Sequence, residues 1–461
     1  MFKNEIENSK QDLINSIIEV CKFKSVSEFN ENSKYPFGEE CNKALEYVLN
    51  LAKDMGFKTK NIDGYCGYVE IGEGKELIGI IGHLDVVPAN IEDGWNSDPF
   101  DPIIKDNKIY ARGTIDDKGP VMAALYAMKI INERCKLNKR VRLILGLNEE
   151  KDWKCIEYYK EKEELPTISF SPDANFPCIY AEKMIVSLSV ETDFNMPEGV
   201  QIIRFDDKNN AINVVPKYCS LIIKDENGNY VNRINQSDDI KISKLEDKIY
   251  KIESFGIASH AAHPESGDNA ITKLLKSLPE NELINYFYDL GFFEIYSPKY
   301  LGGKDTEDES GQLSSNIAKI SYKDGKVKIS LNLRVPVKTS YDIIKEYYKK
   351  ISNVKFNFDI EFMKKQDALY VDKESYIVKT LTRIFNDENG TNYEPLAIGG
   401  GTYARAFENC ISYGMTMPGD IDMCHQVNEY IEIDKLLLTT NIYVKAIYEL
   451  LKHWQILYKP V

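Results

Sequence analysis

Three apolar runs in the first part of the chain stop abruptly in acidic or imidazole side chains. Residues 77–82 (Leu-Ile-Gly-Ile-Ile-Gly) lead into His83-Leu84-Asp85. Residues 141–147 (Val-Arg-Leu-Ile-Leu-Gly-Leu) lead into Asn148-Glu149-Glu150, and 168–170 (Ile-Ser-Phe) into Ser171-Pro172-Asp173. A continuous apolar run of this length suits a strand buried on both faces of a parallel sheet. Open α/β sheets bind ligands at the carboxyl ends of their strands, so three such ends bearing acids and imidazole point to one shared polar site. Residues two apart on an extended chain face the same side, which lets His83 and Asp85 serve that site together. A metal-binding imidazole commonly gives its second N–H to a carboxylate, and His-x-Asp supplies the pair. Where the second run ends, Glu149 and Glu150 diverge, so one can ligate a metal while the other faces substrate as general base. A solvated acidic turn is the plain alternative.

Between the first two runs, strand-like 108–111 precedes Arg112-Gly113-Thr114-Ile115-Asp116-Asp117-Lys118-Gly119-Pro120, and 121–132 has helical spacing. A carboxylate held at such a turn has two oxygens and can bridge two metal ions about 3.5–4 Å apart. Asp116 is the expected bridge. The competing reading is a helix N-terminus with acids at its positive dipole end.

Acids outnumber bases, 72 to 58, for a formal net charge of −14. With no basic patch visible, no nucleic-acid partner is expected. The nine cysteines are scattered without a close CxxC pair, as in a reduced cytoplasmic protein. The polar start, 1–10, is no signal peptide, and no apolar run approaches the roughly 18 residues of a membrane helix. A soluble intracellular protein with no membrane partner is expected.

Residues 12–22 and 44–55 have helical apolar spacing, as do 269–278, 375–385 and a closing helix from 433. From about Lys183 the pattern changes. Residues 184–191 and 326–335 alternate apolar and polar, as in antiparallel strands with one face in water. In the latter, Val327, Ile329, Leu331 and Leu333 face one way, and Lys328, Ser330, Asn332 and Arg334 the other. These patterns predict an α/β protein: an α/β/α domain with a mixed, largely parallel sheet (1–182 and 369–461), and an inserted second α+β domain with an antiparallel sheet (183–368). His260, ahead of the helix 269–278, reads equally as a cap or a surface residue. Gly399-Gly400-Gly401 makes a backbone-exposing turn, and His425 lies in Met423-Cys424-His425-Gln426-Val427-Asn428-Glu429.

Six segments, 82–88, 112–119, 148–150, 171–173, Ser259-His260 and His425, resemble in order those of the co-catalytic di-metal peptidases and deacylases. That superfamily includes glutamate carboxypeptidase, aminoacylase and succinyl-diaminopimelate desuccinylase. Residues 152–155, 399–405 and 425–431, with the large insertion, are most similar to PepV-type bacterial dipeptidases. The resemblance implies a monomeric metallopeptidase acting on dipeptides, with two divalent cations: zinc first, then manganese or cobalt. By position it makes His83, Asp116 and Asp173 ligands of one ion, and Asp116, Glu150 and His425 of the other. It makes Asp85 the group that orients His83, and Glu149 the base. It makes 1–182 with 369–461 the catalytic domain and 183–368 a lid, and from that lid it implies His260 at the oxyanion, and Asn213 and Arg334 holding substrate, with Gly401 close to the substrate backbone. Ala111 and Asn148 depart from the pattern without removing a ligand; His263 and His453 match none of it. An N-acyl-amino-acid deacylase with the same metal site is the nearest rival. A non-catalytic peptide-binding protein is a weaker one, since it would be expected to have lost a ligand or Glu149.

Overall fold

A computed structural model describes residues 2–296, 306–352 and 356–453. The chain divides into two compact units. The first comprises Met1–Tyr180, Val371–Leu396 and Thr402–Val461, the second Ala181–Tyr370 and Ala397–Gly401. The protein is of the α/β class expected, with a mixed central sheet and a separate antiparallel part.

In the first unit the strands run in the order Lys58–Ile62, Cys66–Ile71, Arg140–Gly146, Leu77–His83, Ile168–Ser171, Cys410–Ser412, Ile179–Glu182. The middle four are parallel to one another and the flanking pairs antiparallel. All of Leu77–His83 is buried, as its unbroken apolar run requires. Alternation along a strand decides what each residue meets. A Cβ at Gly82 would press on Val121 of the helix Lys118–Arg134, whereas one at Gly146 would press on Tyr403. That helix therefore covers one face, and the turn Tyr403–Ala406 the other. The helices Lys3–Cys21 and Ile433–His453 pack against Lys118–Arg134.

Helix Lys3–Cys21 begins well before residue 12. Ile6 extends the buried stripe of Leu13, Ile14 and Ile17 by two turns, but it is a single apolar residue among polar ones and gives little periodic signal. Helix Lys154–Lys162 was not anticipated: its stripe, Cys155, Ile156 and Tyr159, is too short to register as a period.

The second unit holds two four-stranded antiparallel sheets, Val200–Asp206, Tyr218–Asp225, Ile249–Phe255, Ile240–Glu246 and Ser314–Lys323, Lys326–Val335, Met184–Asp193, Asp359–Gln366. The helix Ala270–Ser277 is capped by Asn269, which accepts from the Thr272 N–H, and Tyr341–Ile351 by Ser340, which accepts from Ile343. The reading of 184–191 and 326–335 as strands with one solvated face needs correction. Val186, Leu188, Ile329 and Leu331 join the core as expected, but Ser187, Ser189, Ser330, Asn332 and Arg334 are buried too. Both strands are central to their sheet, and their polar faces are satisfied internally: Asn332 donates to the Ser187 hydroxyl, and Arg334 Nε to Asn332.

Candidate metal centre

Parallel register brings the charged strand ends together. His83 pairs with Gly146 and Ile80 with Phe170, so His83, the 147–150 turn and Asp173 emerge along one edge. The helix Lys118–Arg134 begins two residues after Asp116, presenting residues 112–117 beside that edge.

His83 Nε2 lies 3.1 Å from Asp116 Oδ1 and 3.5 Å from Asp173 Oδ2. His425 Nε2 lies 3.0 Å from Asp116 Oδ2 and 3.0 Å from Glu150 Oε2. The two oxygens of Asp116 thus serve different imidazoles. Two clusters result, His83–Asp116–Asp173 and Asp116–Glu150–His425, each with ligand atoms within 4.8 Å of one another. His83 Nδ1 is 2.9 Å from the Asp85 carbonyl oxygen. A carbonyl only accepts, so Nδ1 carries the hydrogen, and in the neutral ring the Nε2 lone pair points into the cluster. That buried nitrogen makes no well-directed hydrogen bond to protein. An orphaned imidazole nitrogen among carboxylates is the donor set that a divalent cation of the zinc, manganese or cobalt type takes. The residues fit two such ions.

The Asp85 carboxylate, 3.5 Å from His83 Nδ1, does a second job: its oxygens accept the backbone N–H groups of Glu149 and Glu150 at 3.0 and 3.1 Å. One buried acid therefore orients both the imidazole and the glutamate turn.

The bridge loop has its own anchor, which sequence reasoning did not single out. The fully buried Glu429 carboxylate accepts from Arg112 Nη1 (2.7 Å) and from the N–H groups of Gly113, Ile115 and Asp116 (3.1, 2.9 and 3.3 Å). Asp117, whose peptide bond with Asp116 is cis, accepts the His83 N–H at 3.1 Å. The available signal for Glu429 was its place four residues after His425, among the segments quoted for the resemblance.

Without a cation, this crowd of acids perturbs its members. Burial pushes the Glu149 carboxyl well above the usual range, with Asp173, Glu150 and Asp116 adding to it against His83. Burial and then repulsion from Asp116 carry Glu150 up to about 7 and raise Asp173 as well. Burial opposes ionisation of Asp116, but the His425 and His83 imidazoles facing its two oxygens outweigh it and lower its pKa. Burial also works against protonated imidazoles, yet the facing carboxylates raise His83 well above its ordinary value and His425 to about 11. The protons stand where cations would.

Asn213, His260, Arg334 and Gly401 belong to the second unit. Asn213 and His260 are adjacent there: Val214 bridges His260, and the Ala261 N–H donates to the Asn213 carbonyl. Arg334 Nη1 donates to the Gly399 carbonyl at 2.8 Å, and Gly399 backs closely on Ala262. The unit thus gathers the glycine turn, Arg334 and the His260 segment in one place. His263 is exposed, 3.5 Å from Glu265; the side chain of His453 lies outside the described residues.

Residues 79–449 match the model of peptidase family M20/M25/M40. The chain is 38% identical over 97% of its length, and 99% of the relative's, to "Putative dipeptidase YtjP" of Bacillus subtilis. It is 35% identical to "Putative dipeptidase" of Staphylococcus epidermidis, over 98% and 99%. Among solved structures, human carnosine dipeptidase 1 has the same fold with a TM-score of 0.58 at 15% identity, covering 97% of this chain and 98% of that one.

Proposed function

Because this chain belongs to peptidase family M20/M25/M40 and is thereby a metallopeptidase, we propose that it hydrolyses unblocked dipeptides at a two-metal centre bridged by Asp116. The observation that carries the reading is the split of the Asp116 carboxylate, one oxygen toward His83 and the other toward His425. The names of its relatives support dipeptides as the substrate class.

His83, Asp116 and Asp173 would hold one ion, and Asp116, Glu150 and His425 the other, with zinc proposed ahead of manganese or cobalt. Such ions would supply a lowered pKa for water and polarisation of the scissile carbonyl. Glu149 takes the proton from the attacking water on its carboxylate and returns it to the departing amine. Asp85 holds the Glu149 N–H, and so the base, in place. In the second unit His260 is assigned to the oxyanion, and Asn213 and Arg334 to holding the substrate, Arg334 by its carboxylate, with Gly401 against its backbone. Arg334's bonds to Gly399 and Asn332 hold its guanidinium in a set orientation. Residues 183–368 are proposed as the lid of a monomer. Nine free thiols favour a reducing compartment such as the cytoplasm. Among the described residues no helix is long and apolar enough to cross a membrane.

The test is amino-acid release from a free dipeptide and from its N-acetylated twin in metal-supplemented buffer. Cleavage of the free dipeptide alone is expected. Cleavage of the acetylated form alone would make the protein a deacylase, with the metal centre unchanged. Silence on both would remove the dipeptidase reading.

A further inference from the structure

Glu149 and Glu150 are partly exposed, so packing alone does not hold the turn that presents them. The Asp85 carboxylate takes both of their N–H groups, yet two bonds to one carboxylate leave the turn free to pivot about it. A second anchor lies on the preceding residue. Asn148 is fully buried, and its side-chain amide is used at both ends: Oδ1 accepts the Lys154 N–H at 3.2 Å, and Nδ2 donates to the Ser27 hydroxyl at 2.8 Å. A backbone N–H only donates, which fixes the oxygen end of the amide. The Asn148 carbonyl also accepts the Trp153 N–H at 3.0 Å, closing residues 148–153 into a loop. Ser27 is itself a fixed point, because the buried segment before it is tied to the other ligand-bearing segments. The Phe23 carbonyl accepts Lys118 Nζ at 2.8 Å, two residues beyond Asp116. The Ser25 hydroxyl donates to the Leu84 carbonyl at 2.6 Å, and the Ser25 carbonyl accepts the Val86 N–H at 3.0 Å, on either side of Asp85.

We propose that Asn148, braced by Ser27, is a positioning residue that sets the direction of both the base Glu149 and the ligand Glu150; this rests on the two-metal reading above. It acts through the backbone of the turn and need touch neither substrate nor ion. Losing either bond of the amide leaves a buried polar group without a partner, and the turn can relieve that only by moving. Glu150 serves one of the two clusters, so a displaced turn weakens the ion on Asp116, Glu150 and His425 and spares the one on His83, Asp116 and Asp173. A residue that merely stabilised the fold would affect both ions alike, or neither. Removing partners that orient metal-ligating groups typically lowers metal affinity or activity about 10–100-fold, which sets the scale of the effect.

The test is a zinc titration against a chromophoric chelator, with hydrolysis of a free dipeptide at saturating zinc as the second readout. Ser27→Ala deletes one oxygen and leaves Asn148 Nδ2 without its acceptor. Asn148→Leu keeps the volume and removes both polar ends. Each should weaken one of the two ions about 10–100-fold, leave the other nearly as tight, and lower kcat about tenfold or more with KM little changed. Asn148→Asp should hold both ions within a few-fold of wild type, since one carboxylate oxygen still accepts from Lys154 and the other can accept from the Ser27 hydroxyl. If Asn148→Leu does not fold, Ser27→Ala decides alone. Equal weakening of both ions, or of neither, in folded Ser27→Ala protein overturns the proposal. If wild-type protein holds two ions but cleaves no free dipeptide, the dipeptidase reading falls and the zinc pattern still decides the role of Asn148. A wild type that holds one ion removes the two-metal reading and this role together.

Discussion

Replacing Glu429 by glutamine removes one charge and turns one acceptor into a donor, and the structure sets what that costs. The carboxylate receives four donors, with Arg112 Nη1 and the Gly113 N–H on one oxygen, and the Ile115 and Asp116 N–H groups on the other. A glutamine oxygen can keep only one of these pairs. If it stays with Ile115 and Asp116, its NH2 faces two further donors, and the Arg112 guanidinium is left buried without a counter-charge. Breaking one side of a buried ion pair costs about 3–5 kcal/mol, a large share of the about 5–15 kcal/mol that holds a typical protein folded. Trp95 reports locally, its ring 5.2 Å from the Arg112 guanidinium carbon. Urea unfolding followed by tryptophan fluorescence, in chelator so that bound metal does not contribute, should show Glu429→Gln losing about 3–5 kcal/mol. The double variant Arg112→Met/Glu429→Gln should lose less than the two single losses combined, because no buried guanidinium or carboxylate is then left without its counter-charge. A loss under about 1 kcal/mol for Glu429→Gln would refute the anchoring role.

Three other outcomes are expected. Glu149→Gln should cut kcat by about 10²–10⁴-fold while leaving metal content intact, because it removes the proposed base and none of the proposed ligands; activity retained within a few-fold would unseat it. In the metal-free protein His425 has a pKa of about 11 and Glu150 of about 7, so cation binding at pH 7 must displace protons. These pKa values are raised and binding needs the deprotonated forms, so affinity should rise with pH between 6 and 8. Calorimetry in buffers of different ionisation enthalpy should show at least one proton released, and none released would contradict the ligand set. Gly146→Ala would drive a methyl into Tyr403 Oη and should cost about 1–3 kcal/mol in an unfolding assay.

Much of the centre was legible because each proposed ligand except His425 sits where a local pattern ends. The apolar run into His83, the acid pair after residue 147 and the Gly-flanked Asp116 needed only strand geometry and carboxylate chemistry to be read together. What escaped was whatever is built across the chain. Glu429 meets the 112–116 loop from more than 300 positions away, and no periodicity records that its carboxylate takes four donors. His-x-Asp predicted a carboxylate on the imidazole, but the closer contact is the Asp85 carbonyl, and the carboxylate is spent on the Glu149 and Glu150 N–H groups. Alternation in 326–335 revealed two faces of a strand but not that the polar one is covered, which is why Arg334 proved buried.

The central claim is a pair of ions sharing Asp116, and metal stoichiometry tests it most directly. Wild-type protein, loaded with zinc and desalted, should carry two ions per chain by mass spectrometry of the metal. His425→Ala should carry one, keeping the His83–Asp116–Asp173 cluster, whereas Asp116→Ala should lose affinity for both. One ion in the wild type, or an Asp116→Ala variant that still holds one as tightly as before, would contradict the bridge.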